Sequence, residues 1–298
     1  MEAHGLCDSP IEPPTQGGGL RPFPWGLTAA VATCCGALTA NHLRWREESL
    51  LLLGLVLLLT VLAWGSLWSL GTGTRWFHPL AEGWPPSQPM GIPTLPYTLP
   101  GSPGGRVGRW LSRLVAWWQE AFWPAAGTAF VGLLTAAALA ALLSLLLPDR
   151  LCPLNAALVA LIGLGISQRR RDRDPVAGEA LLRVGLGWLA GHTAFTRPGW
   201  PVISLALAFT VAMVGALRAS RGEAGGLWLL NGALAAILLL LVALQHPLAA
   251  GGVGLFLFGQ VALQPSLRTG EEALRLGFGR RAWPWLMAAM LTAALAVA

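Results

Sequence analysis

The chain has 298 residues, a formal net charge of +6, 54% hydrophobic residues and only 11% charged ones, with a mean hydropathy of +0.58. A soluble domain carries about 25% charged residues, so this composition excludes an ordinary water-soluble fold and predicts an all-α, polytopic membrane protein. All 20 basic residues are arginines set between apolar runs, a pattern that orients helices in a bilayer and does not argue for nucleic-acid binding.

Residues 1–24 hold Glu2, Asp8, Glu12 and the run Gly17-Gly18-Gly19, with no basic start followed by an apolar core. They read as a flexible cytoplasmic tail and not as a signal peptide. Residues 25–298 are then expected to form a single transmembrane helical domain. Its first two spans run from Trp25 to Asn41 and from Leu50 to Leu70, joined by the polar link His42 to Glu48.

A polar insert follows at 73–121. It carries eight prolines between Pro79 and Pro103, which rule out a regular helix or a central strand there. From Gly105 the character changes. Val107, Trp110, Leu111, Leu114, Val115, Trp118 and Phe122 recur at helical spacing, and Arg106, Arg109 and Arg113 share another face. That pattern predicts an amphipathic helix lying in the membrane interface; the alternative is an overhang of the third span.

The third span is expected from Trp123 to Leu147 and the fourth from Leu151 to Ser167, the latter ending at Arg169-Arg170-Arg171-Asp172-Arg173-Asp174. The fifth runs from Ala180 to Phe195, the sixth from Pro201 to Leu217 and the seventh from Leu227 to Leu244. Gln245-His246-Pro247 makes a tight turn into the eighth, Leu248 to Leu263, and the ninth covers Trp283 to Ala298. With about nine spans, sixteen arginines fall on the side of the N-terminus and the insert, against Arg44, Arg46, Arg150 and Arg197 opposite. The bias predicts a cytoplasmic N-terminus and insert, an external C-terminus, and a bacterial-type inner membrane.

No nucleophile, phosphate-loop or metalloprotease motif is present, and the four cysteines have no metal-ligand spacing. Cys34 and Cys35 read as small packing residues. Polar groups inside apolar spans carry more information. Asn231, Gln260 and Gln264, with Arg218, Arg221 and Glu223 after the sixth span and Arg106 and Arg109 on the amphipathic helix, form the candidate ligand-binding set. The bland reading of the amides is interhelical hydrogen bonding. His192 reads as a packed histidine, and Trp188, Trp200, Trp228, Trp283 and Trp285 as anchors at span ends. The arginine run at 169–173 is a topology signal with local aspartate partners, or a seat for anionic lipid or phosphate.

The long insert after span two, the polar stretch Arg218-Ala219-Ser220-Arg221-Gly222-Glu223 after span six and the early Arg21-Pro22 together resemble the UbiA-type intramembrane prenyltransferases. The resemblance implies nine helices, a cytoplasmic cap and an isoprenoid substrate. It also implies two aspartate-rich motifs that hold Mg²⁺ against a prenyl diphosphate, because hard cations need several carboxylate oxygens. Here the end of span two offers Ser66, Trp68, Ser69 and Thr72, the insert holds only Glu82 and Glu120 as acids, and only Glu223 follows span six. No catalytic residue carries over and no cofactor is assigned. The expected function is a non-catalytic or divergent UbiA-like protein that binds an isoprenoid or another lipid in a cytoplasm-facing cavity. Its expected partners are membrane lipids. An accessory subunit of a larger, energy-transducing membrane complex, in contact with partner subunits, and a small-molecule transporter are the alternatives.

Overall fold

A computed structural model describes residues 25–40, 46–74, 76, 102–171, 173–223, 225–267 and 272–298. The expected flexible tail and proline-rich loop lie outside the described residues, as does most of the first polar link. Every element among the described residues is helical, without a strand. We label the rods α1 (Trp25–Leu38), α2 (Glu47–Gly73), α3 (Pro103–Leu146), α4 (Asp149–Arg170), α5 (176–195), α6 (Trp200–Ser220), α7 (Gly226–Ala243), α8 (Pro247–Leu263) and α9 (Glu272–Val297). Five of them, α2, α3, α4, α6 and α7, are long and apolar enough to cross a membrane.

Proline and glycine punctuate the rods as their chemistry requires. Prolines open α3, α4, α6 and α8, where the missing N–H has no helical acceptor to lose. Ser102 caps α3 by accepting from the Gly105 N–H at 3.0 Å. The α6 terminus closes with Gly222 at φ 74°, the Glu223 N–H reaching the Arg218 carbonyl and the Gly222 N–H the Ala219 carbonyl. That is the glycine-terminated stop which satisfies the last orphan carbonyls. The expected turn before α8 is present, with Gln245 at φ 65°.

Three rods contain a stretch of wider, π-type turns: Leu58–Trp64 in α2, Trp118–Phe122 in α3 and Leu181–Leu186 in α5. In α3 this stretch precedes Pro124, whose ring cannot donate to the turn before it. The amphipathic run is not set off from the third span by a break. It continues into the third span as one 44-residue rod, about 66 Å long, so the overhang alternative describes the backbone.

Two buried clusters share α5 as their common wall. Val184 and Trp188 belong with α1, α6, α7, α8 and α9, whereas Leu182, Leu186, Ala190 and Ala194 belong with α2, α3 and α4. The closest approach is between α1 and α5. A Cβ at Gly36 would fall on the Trp188 carbonyl oxygen, and one at Gly191 on that of Thr33. Without those Cβ atoms two backbones can touch, the means by which helices associate where burial from water drives little. Hydroxyls and amides fasten the other pairs. Thr33 meets Thr60 at 3.0 Å, the Trp64 indole N–H reaches Asn155 at 3.0 Å, and that of Trp283 reaches Thr28 at 3.0 Å.

Two expectations are corrected here. Trp188 is no anchor at a span end: it is fully buried and stacked on Phe209 with ring centroids 5.5 Å apart. Arg183, counted among the loop arginines, sits inside α5 with 1% of its surface exposed. Trp200 and Trp228 do lie on the outside, 63% and 84% exposed, and Cys35 is fully buried.

Candidate functional site

The eight predicted site residues do not form one pocket lining. Asn231 on α7 accepts from Gln264 Nε2 at 2.8 Å. Gln260, 1% exposed on α8, donates to the Ala282 carbonyl of α9 at 3.2 Å, while its Oε1 has no partner among the described residues. These amides join α7, α8 and α9 in the way the bland reading expects. Arg218 pairs with Glu223 at 3.5 Å, and Arg221 donates to Asp174 at 2.8 Å, so this group sits on the connections at one end of the bundle. Arg106 and Arg109 are exposed on the leading part of α3, and no hydrogen bond or ion pair joins them to the other six among the described residues.

A different pair is set deeper. Glu179 and Arg183, one turn apart on α5, form an ion pair with the arginine side chain 2% and the glutamate side chain 19% exposed. The i, i+4 spacing of acid before base was the signal in the sequence. Reading Arg183 as one more loop cation hid it.

The position of the pair follows from helix lengths. Gly26, at the start of α1, packs against Val61 of α2, Gly187 of α5 packs on Ala29, and Trp283 of α9 bonds to Thr28. From those levels α2 continues to Gly73, while α5 began at Val176 and α9 at Glu272. At 1.5 Å per residue, α2 extends about 16 Å, and α5 and α9 about 10–12 Å, past the described start of α1. Glu179 lies on the stretch of α5 that runs beyond the described start of α1, and Arg183 lies level with that start.

Trp68 of α2 reaches the same end. Its ring lies where a Cβ on Gly165 of α4 would be 2.9 Å from it and one on Gly178 of α5 only 2.6 Å. Only glycine at both positions admits the indole. The neighbouring hydroxyls are already used, Thr72 Oγ1 donating to the Trp68 carbonyl at 2.8 Å and Ser69 Oγ to that of Ser66 at 3.1 Å. With Glu223 paired to Arg218, this end of α2 and the loop after α6 offer no carboxylate set for Mg²⁺ and a diphosphate. Among the described residues, no three of His, Cys, Asp and Glu come close enough together to hold a metal ion.

At the opposite end His192 is packed, 4% exposed, with Nδ1 2.9 Å from Thr39 Oγ1. No family model, curated protein or solved structure matches the chain.

Proposed function

We propose that the chain is an integral membrane protein of UbiA-like architecture that holds an isoprenoid or another lipid beyond the start of α1. In this reading the rods cross a bacterial-type inner membrane nine times, N-terminus inside and C-terminus outside. The observation that carries the proposal is the buried Glu179–Arg183 pair. Charges within an apolar bundle are costly and are kept where a ligand or a conformational change uses them. Supporting it, α2 and α6 end around the α4–α5 connection, so the two loops that the resemblance treats as functional share one end.

The test is mass spectrometry of lipid retained by protein purified in mild detergent. A stoichiometric isoprenoid or lipid, lost when Glu179→Leu and Arg183→Met are combined in a folded protein, is expected. A parent that retains nothing would sink the proposal. Transfer from geranylgeranyl or farnesyl diphosphate is not expected, since the residues present do not fit the Mg²⁺ that such chemistry uses. Turnover abolished by EDTA would show otherwise.

A second reading, an accessory subunit of a larger membrane complex, draws on the exposed apolar stripe of α3, with Val107 and Trp110 both 57% exposed. Co-purification of a stoichiometric partner from native membranes would favour it.

A further inference from the structure

We infer that the α4–α5 and α6–α7 connections together form a seat for the headgroup phosphate of an acidic phospholipid. This inference does not rest on the lipid proposed for the bundle interior. Asp174 draws two distant parts of the chain together, accepting from Arg221 at 2.8 Å and facing Arg169 at 3.7 Å. It thereby fixes two guanidiniums beside Arg171 and Arg173, both exposed and without a carboxylate partner among the described residues. Arginines at helix C-termini ordinarily offset the partial negative charge there, and Arg169 and Arg170 do so for α4 and Arg218 for α6. Arg171 and Arg173 fall past that last turn and are surplus to it.

Apolar surface on the adjoining rods selects a lipid over a soluble phosphate. Leu164, two turns before the end of α4, is 60% exposed, and Trp228, in the first turn of α7, is 84% exposed. A cationic group placed just beyond exposed leucine and tryptophan lies at the headgroup level of a bilayer. Guanidinium also matches the planar oxygen pair of a phosphate better than an ammonium would.

The experiment reconstitutes the full chain in phosphatidylcholine discs doped with phosphatidylglycerol and counts retained phosphatidylglycerol by native mass spectrometry. The variant R171Q/R173Q should retain about tenfold less than the parent at low salt, and salt should erase the difference. The control R150Q/R197Q, altered at the opposite end, should retain as much as the parent. Equal retention by R171Q/R173Q and parent, or an equal loss in the control, overturns the inference. So does displacement of the lipid by glycerol phosphate alone, which would mark a soluble-phosphate site. Arg171, Arg173 and Arg197 are on connections and Arg150 is exposed in the first turn of α4, and unchanged thermal unfolding of both variants establishes that the comparison is between folded proteins.

Discussion

At the scale of single residues, the tightest constraints are two glycines and one ion pair. Gly36→Ala or Gly191→Ala places a methyl group against a backbone carbonyl, which cannot rotate away as a side chain can. Either change should lower stability by about 1–3 kcal/mol or more through forced separation of α1 and α5. Gly163→Ala and Gly232→Ala, where nothing stands within 4 Å of the new Cβ, should change it by less than about 0.5 kcal/mol. Thermal unfolding in one detergent compares all four. The ion pair obeys a different rule. Glu179→Leu alone strands a buried guanidinium and should cost about 3–5 kcal/mol, whereas adding Arg183→Met to it should recover most of that loss. A double variant as unstable as the single would show that Glu179 is not what balances Arg183.

At the scale of elements, α3 poses the sharpest question. Its apolar part, from Trp123 to Leu146, is 24 residues long, about 36 Å, and suffices to cross a bilayer alone. The preceding stretch carries Trp110, Leu111, Val115 and Trp118 on its surface, each at least 37% exposed. Trp118, Phe122 and Phe130 cluster at the junction, with centroids 4.5–5.7 Å apart, and Pro124 weakens the helical ladder there. In a membrane the stripe is expected to rest in the interface, with Arg106, Arg109 and Arg113 at the headgroups, each adding about 1 kcal/mol. Replacing Trp110, Leu114 and Trp118 by Ser should therefore speed tryptic cleavage at those arginines several-fold in vesicles while the spans stay folded. An unchanged rate, or immediate cleavage of the parent, would mean that the membrane does not hold the stripe. Sequence periodicity could not tell interfacial helix from overhang, because both need the same apolar repeat and differ only in whether the chain breaks before Trp123. The helix start beside Pro201 and the turn at Gln245 were legible because local chemistry dictates them, whereas Pro103, read as part of the irregular insert, opens α3. The α1–α5 contact was not, since it joins residues about 150 positions apart through glycines that look alike in any span.

At the scale of the whole molecule, the contacts fix the relative directions of two pairs of rods. Residues rise together along α1 and α5, as Ala29 faces Gly187 and Thr39 meets His192, so these two run parallel. Gly252 faces Thr292 and Gly259 faces Trp285, so α8 and α9 run antiparallel. Single cysteines in a cysteine-free background should be labelled from the inside at position 90 and from the outside at 298, as the arginine split requires. Labelling of both from one side would remove every odd-span arrangement. Arg183 no longer counts in that split, and fifteen against four leaves the direction unchanged.

The order in which α1 and α5 are made has a consequence for assembly. The 14 described residues of α1 span about 21 Å, and α1 is translated before α5. Gly191, which lets α5 close on it, is translated about 150 residues later, a delay of about 8–30 s at ordinary elongation rates. During that interval α1 lacks the partner on which its backbone closes. Nascent chains halted near residue 175 should release α1 to alkaline extraction or proteolysis, and chains extended through residue 220 should not. Equal protection at both lengths would mean that α1 seats itself on α2 alone, before its main partner exists.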